Sequence, residues 1–280
     1  MKIYEAINKG KLILEKNFIK SSLLDSEILM SKVFKKDRKF VILNPKKELD
    51  EGKLNFFYNL ISERSKGKPV AYLTCKKYFW KYEFRVESDI LIPRPDTEIM
   101  VEQALKLTRN KFKLRVLDIG IGSGCLLLSI LKEKKNFYGV GIDVSQKCIN
   151  ISKINAYKLN VINRLKLFNS CVDNFKYGKY DLVISNPPYI NKFDLKHLDK
   201  DVINFEPKLA LNGGLDGISE IKKVIKKTSE LIKKNGKFIL EIGFDQKNKV
   251  KKLLINNGFY INEVFQDLAK NDRCIVSTKI

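Results

Sequence analysis

Asn186-Pro187-Pro188-Tyr189 is the stretch of this chain best suited to chemistry, and it follows the apolar run Tyr180–Ser185. Two adjacent prolines remove two backbone N–H donors and fix φ at both positions. A strand through 180–185 must therefore stop there, on a stiff loop. That loop offers acceptors, a carboxamide oxygen and free carbonyls, beside an aromatic ring. Such a set can take both hydrogens of a planar NH2 group and hold it flat. A glutamine amide is one group of that kind, and the exocyclic amine of adenine or cytosine is another. The same residues would also serve as a proline-stiffened turn with an Asn cap.

Upstream lies a nucleotide-type pocket. Leu114–Ile119 reads as a strand, Gly120-Ile121-Gly122-Ser123-Gly124 as a turn and Cys125–Leu131 as a helix. Glycines let a backbone turn tightly and approach a ligand with no Cβ in the way. A second strand, Phe137–Ile142, ends in Asp143. An acid there is placed to accept the hydroxyls of a ribose. The spacing is Gly-x-Gly-x-Gly, so the dinucleotide fingerprint Gly-x-Gly-x-x-Gly is not met. Asp118, inside the first strand, would repel a pyrophosphate but suits a cationic ligand.

These pieces together resemble the class I S-adenosylmethionine-dependent methyltransferases. Leu117-Asp118-Ile119-Gly120-Ile121-Gly122-Ser123-Gly124 is similar to their first motif and Asp143 to their ribose-binding acid. Asn186-Pro187-Pro188-Tyr189 is similar to the motif of amino-group methylators, found in DNA adenine and protein-glutamine methyltransferases alike. Segments outside the pocket choose between the two. Gly67–Thr74, Tyr78-Phe79-Trp80, Phe84-Arg85-Val86, Leu91–Glu98, Phe205–Leu211, Gly213–Gly217 and Asp267–Arg273 follow in this order. Together they resemble the peptide chain release factor glutamine N5-methyltransferases, from Met1 to the C-terminus. There are departures. Cys75 and Lys270 stand where the family has Gly, and Cys171-Val172 replaces an acid and its apolar or aromatic neighbour near the cofactor's adenine.

The resemblance implies S-adenosyl-L-methionine as cofactor, with S-adenosyl-L-homocysteine as product. It implies cofactor contacts at Asp118, Gly120, Ile121, Gly122, Ser123, Gly124, Asp143, Val172 and Asn186. Asn186, Pro187, Pro188 and Tyr189 are the implied catalytic loop, with Arg94, Pro95 and Glu206 shaping the substrate site. The implied substrate is the glutamine of the Gly-Gly-Gln loop of class I release factors. Two rivals remain. A nucleic-acid adenine methyltransferase would want a target-recognition domain, for which the chain has no spare length. A non-catalytic binding module for release factor or ribosome need not keep Asp143 and Asn186.

The elements that must position these residues fall into three parts. Residues 1–71 alternate helical stretches with polar breaks, with Ser21-Ser22 ahead of one apolar stripe and Lys53–Ser65 as another helix, and read as a small helical bundle, to which the resemblance gives a part in docking the substrate. Residues 72–88 suggest a hairpin connector. Residues 89–280 form the cofactor domain, with a Pro-stiffened loop at Leu91–Asp96, a helix over Thr97–Leu107 and then alternating strands and helices. Lys237–Ile242, Phe259–Phe265 and Cys274–Thr278 are its later strands, and helical spacing with lysines on one face runs from Ile221 to Lys234. The fold class is α/β, a Rossmann-like sheet to which the family gives seven strands, the last antiparallel.

The 280 residues carry a formal charge of +22, which taken alone points to nucleic acid. The excess is spread over both halves, and the chain is rich in Lys, Ile and Asn together, as an A- and T-biased coding sequence produces. No specific nucleic-acid partner is expected. Five cysteines without a Cys-x-x-Cys pair, and a single His197, give no metal site. His197 reads as a surface residue. The odd cysteine count suggests reduced thiols in a cytoplasmic enzyme, with no membrane segment and a monomeric state.

Overall fold

The computed structural model describes all 280 residues, which group into two compact units. One is Met1–Lys76 with Asp199–Phe205, and the other is Lys77–Leu198 with Glu206–Ile280.

The first unit is helical. It holds α1 (Ile3–Lys16), α2 (Ser22–Phe34), α3 (Arg38–Leu43), α4 (Glu51–Ser65) and α5 (Val70–Thr74). Ile3, Ala6, Ile7, Gly10 and Leu14 recur at helical spacing on α1 and are buried. Gly10 admits the Phe57 ring, which a Cβ there would meet at 2.9 Å. Asp37 and Asp50 cap α3 and α4 by accepting from Phe40 N and Lys53 N. Ser21 precedes α2 as expected but makes no side-chain cap bond, and Ser22 already lies inside the helix. The unit runs on to Lys76 because residues 70–74 are helical. Asp199–Phe205 belongs to it as well, since buried Arg64 bridges Asp25 at 2.7 Å and Asp201 at 2.8 Å.

The second unit opens at Lys77, inside the hairpin formed by β1 (Lys76–Phe79) and β2 (Tyr82–Arg85). The Glu133 carboxylate accepts from Trp80 Nε1 and Tyr82 OH, both at 3.0 Å. Asn155, fully buried, accepts from Arg85 N at 2.7 Å and donates to Arg85 O and Ser123 O. The hairpin is thus fastened to the elements that follow. A single 3-10 turn over Pro95–Thr97 leads into α6 (Glu98–Leu107), one residue later than expected because Pro95 opens the tighter turn.

The sheet contains β3 (Arg115–Ile119), β4 (Tyr138–Asp143), β5 (Leu165–Asn169), β6 (Tyr180–Ser185), β7 (Ile232–Glu241), β8 (Phe259–Gln266) and β9 (Asp272–Lys279). Between them lie α7 (Cys125–Glu133), α8 (Gln146–Lys158), α10 (Ser219–Leu231) and α11 (Lys247–Asn256), α9 being Lys200–Phe205 of the helical unit. The strand order is β5-β4-β3-β6-β7-β9-β8, with β9 antiparallel to both neighbours. Side chains alternate across it. Val116, Leu182, Ile184 and Ile239 pack against α6, α7 and α8, whereas Leu117, Val183 and Leu240 pack against α10 and α11. The central parallel strands are therefore covered on both faces and read as near-continuous apolar runs. α10 stops at Leu231, short of Lys234. Ile232 already pairs with Tyr180 in the sheet, and Lys233 reaches Asp181 at 2.6 Å.

After β3 the chain winds outward through β4 and β5, then returns to lay β6 on the other side of β3. That reversal opens a crevice at the carboxyl ends of β3 and β6, where ligands bind in sheets of this kind. No helix is long and apolar enough to cross a membrane.

Candidate active site

The glycine turn at the end of β3 sits over the end of β4. Gly120 N and Ile121 N both donate to Ile142 O at 2.9 Å. Gly120 and Gly122 have φ of 80° and 55°, in the left-handed region that favours glycine, and a Cβ at either would meet open space. Ser152 Oγ donates to Gly122 O at 2.7 Å from α8. Asp143 closes the arrangement by accepting from Gly122 N and Ser145 N, each at 2.9 Å. Burial lifts the Asp143 pKa, and the N–H groups of Ser145 and Gly122 pull it back.

The end of β6 is tied to the end of β3 by Ser185 Oγ, which donates to Ile119 O at 2.7 Å. The next residue, Asn186, donates from Nδ2 to Thr97 Oγ1 at 3.3 Å. With Nδ2 committed there, the free end of the carboxamide is its acceptor oxygen. Further along the loop, Gln246 Nε2 donates to Tyr189 O at 2.8 Å and to Gly217 O at 3.0 Å, while Gln246 Oε1 accepts from Gly243 N. The loop is held by its own prolines and by a buried glutamine.

Between the two loops is a cavity of about 370 Å³, within the range of small-molecule sites. Of the residues expected to act, Gly120, Gly122, Asp143, Val172, Asn186, Pro187 and Pro188 line it. Cys171 lies beside Val172 on the same wall, with Glu220 and Lys223 of α10, which pair with each other at 2.8 Å. Ile142, Val172 and Val224 give that part of the wall an apolar character.

The other expected residues lie behind this wall. Ile121 is buried in the core, Ser123 is buried beneath the turn, and Gly124 packs on Leu128. Asp118 is 1% exposed, neither of its oxygens has a hydrogen-bond partner, and its pKa is pushed up to about 8 by burial and then by Asp143. It shares the face of Val116, toward the helices, so it is no direct wall of the cavity. Tyr189 was expected as an aromatic platform. Instead its phenol donates to Glu241 Oε1 at 3.2 Å, and its ring packs on the core. Burial and then the Glu241 charge push that phenol's pKa up. Arg94 pairs with buried Glu206 at 2.5 Å, and Glu206 also accepts from Ile92 N at 3.2 Å. Pro95 lies in the 3-10 turn that places Thr97. These residues fasten the rim, where Pro207, Leu209 and Ala210 do line the cavity. His197 is exposed on its own short turn.

Sequence reasoning missed Glu241, Gln246 and Asn155, and took Thr97 only as the start of a helix. Glu241 carried a readable signal. It is an acid ending the apolar run Phe238-Ile239-Leu240, the same pattern that singled out Asp143.

Known proteins agree with this architecture. A family model described as the PrmC N-terminal domain matches residues 5–74, and one described as the methyltransferase small domain matches residues 96–213. The release factor glutamine methyltransferase of Clostridium acetobutylicum is 38% identical over 100% of this chain and 99% of its own length. That of Buchnera aphidicola subsp. Acyrthosiphon pisum is 36% identical over 96% of each chain. Among solved structures, the ribosomal protein L11 methylase of Lactobacillus delbrueckii subsp. bulgaricus aligns with a TM-score of 0.52, covering 70% of this chain and 86% of that one at 19% identity, a likeness of fold alone. Relatives matched end to end at this identity establish that the chain belongs to the release factor glutamine methyltransferase family and is a methyltransferase enzyme.

Proposed function

We propose that this enzyme methylates the side-chain amide nitrogen (N5) of the glutamine in the Gly-Gly-Gln motif of class I peptide chain release factors, with S-adenosyl-L-methionine as donor. The carrying observation is the hydrogen bond from Asn186 Nδ2 to Thr97, which turns the amino end of the carboxamide to Thr97 and leaves its acceptor oxygen at the other end. The residues around the cavity suit the donor. Asp143 would hold its ribose, the turn at Gly120 and Gly122 leaves room for its backbone-like portion, and Val172, Ile142 and Val224 would flank its base. When bound, that cofactor supplies a methyl group already activated on a sulfonium.

The enzyme's own task is to present a weak nucleophile. An amide nitrogen has its lone pair delocalised into the carbonyl. Hydrogen bonds from its two N–H groups to Asn186 Oδ1 and to the Pro187 carbonyl would orient it in the cavity. As the nitrogen becomes tetrahedral and positive its hydrogens grow more acidic and those bonds strengthen, which is preferential stabilisation of the transition state. Fixed orientation of this kind contributes up to ~7–11 kcal/mol. No strong base is needed beforehand, because the protonated product amide sheds its proton readily. Prolines suit the loop, since they present carbonyls with no N–H to compete.

The reading is tested by transfer of labelled methyl to purified release factor, compared with DNA and RNA. Label in the release factor that disappears when its Gly-Gly-Gln glutamine is replaced supports it. Label in nucleic acid alone would transfer the loop to adenine chemistry.

A further inference from the structure

Between β5 and β6 the chain makes no helix, and the segment after β5 packs against α10 instead. Val172 and Phe175 of that segment share one apolar core with Ile221, Val224 and Ile225 of α10. Cys171 and Val172 therefore line the cavity beside α10, which sends Glu220, Lys223 and Val224 to the same lining. Positions i, i+3 and i+4 lie on one face of a helix, with Cβ atoms about 5–6 Å apart. Glu220 thus stands one turn from Val224, which with Ile142 and Val172 would flank the donor's base. We propose that Glu220 reads that base: its carboxylate accepts a hydrogen bond from the exocyclic amine of adenine and so sets the enzyme's choice of nucleoside. The proposal rests on the reading of this cavity as the donor's site.

An amine held between apolar walls needs an acceptor, since an N–H buried without one loses its bonds to water. Cys171, which stands where the family has an acid, is a poor one. Sulfur accepts weakly, and Cys171 Sγ lies 3.8 Å from Asp173 Oδ2. Asp173 is itself exposed and outside the lining. Three carboxylates do line the cavity. Asp143 is bound to the glycine turn, where it would hold the ribose. The Asp89 side chain is 76% exposed and pairs with Lys147 at 3.1 Å. Glu220 is the third. Lys223 Nζ donates to Glu220 Oε1 at 2.8 Å, which leaves Oε2 for the amine and offsets the carboxylate's charge beside an uncharged ring. An ionised carboxylate can only accept. It suits an amine at position 6 of a purine and opposes an oxygen there, where acceptor would face acceptor.

The test is calorimetric titration of the purified protein with S-adenosylhomocysteine and with S-inosylhomocysteine, its 6-oxo analogue, for the wild type, Glu220→Ala, Glu220→Gln and Lys223→Met. The wild type should prefer the adenosyl ligand by about 10- to 100-fold, the range for a hydrogen bond to a charged acceptor. Glu220→Ala should bind the adenosyl ligand about tenfold more weakly and the inosyl ligand no more weakly, so that little preference is left. Glu220→Gln should lose most of the preference by gaining the inosyl ligand, because a carboxamide can turn its NH2 toward an oxygen. Lys223→Met keeps the carboxylate and should keep the preference. Damage to the fold would lower both affinities together, whereas the ratio reports the edge of the base. A wild type that binds both ligands alike would overturn the proposal, as would a wild-type ratio retained in both Glu220 variants, or one lost in Lys223→Met and kept in Glu220→Gln. If S-adenosylhomocysteine did not bind the wild type at all, the fault would lie in the reading of the cavity, and the proposal would fall with it.

Discussion

Gly122 N–H donates to Asp143 Oδ2 at 2.9 Å, joining the turn after β3 to the acid that ends β4. Ser145 N–H donates to the other oxygen. Each carboxylate oxygen therefore already faces a backbone donor and keeps lone pairs for a ribose hydroxyl. A carboxamide cannot replace it, since one of its ends would set NH2 against N–H. Asp143→Asn should weaken S-adenosylmethionine binding about as much as Asp143→Ala, by roughly 1.5–3 kcal/mol, the range for hydrogen bonds to a charged group. Calorimetric titration checks this, and unchanged affinity in both variants would remove Asp143 from the site.

Cys75 and Lys270, the two positions where the family has Gly, both lie at positive φ, 59° and 64°. The departures therefore fall where an L residue is strained. Left-handed backbone costs an L residue roughly 1–2 kcal/mol, against which glycine loses part through the greater freedom it gives the unfolded chain. Cys75→Gly and Lys270→Gly should each stabilise the protein by about 0.5–1 kcal/mol. Lys270 is exposed, so its change is the cleaner of the two, whereas Cys75 also gives up a contact from Sγ to Tyr72 O at 3.5 Å. Urea unfolding of the single variants decides it, and a loss of stability in Lys270→Gly would refute the strain.

The parallel core of the fold was legible because its strands are apolar runs, some ending at a polar residue, as Val140-Gly141-Ile142 before Asp143 and Leu182-Val183-Ile184 before Ser185 show. Asn186 and Asp143 were legible for the same reason. Asp118 and Tyr189 were harder. A sequence places them beside the loop but does not say which face of the strand an acid takes, or where a phenol turns once Glu241 is near. Glu241 and Gln246 come from segments about fifty residues beyond the loop they support. Only the pairing of β6 with β7 brings them to it. The end of α10 was misplaced for a related reason. Its lysine pattern continues past Leu231, and pairing of Ile232 with Tyr180 overrides it.

Asp118 gives the folded chain a pH dependence of defined sign. Its folded pKa is pushed up to about 8 from an ordinary 3.8, first by burial and then by Asp143. Below about pH 4 the group is neutral in both states. From there to about pH 8 the unfolded chain gives up a proton that the folded chain keeps, so this group's contribution to stability falls as pH rises. Above about 8 the whole penalty is present. Asp118→Asn should flatten this slope and raise the midpoint of thermal unfolding at pH 8.5 more than at pH 5, without ligand. Equal shifts at both values would mean that Asp118 ionises normally in the folded protein.

Asn186 is where the support network and the acceptor site meet. Asn186→Ala removes the oxygen that orients the amide and leaves Thr97 Oγ1 without its donor. Loss of one such preorganised contact should lower turnover by about 10²–10³. Asn186→Asp is the finer test. It restores an acceptor toward the cavity, but its second oxygen replaces Nδ2 opposite Thr97. The Thr97 hydroxyl must then donate to that oxygen where it had accepted from Nδ2. Turnover for Asn186→Asp should therefore be intermediate, well above Asn186→Ala and below the wild type. Release factor binding should be nearly unchanged throughout. Single-turnover methyl transfer with a parallel binding measurement separates the cases. Wild-type turnover in Asn186→Ala would reduce the loop to a proline-stiffened turn and remove the basis for the proposed chemistry.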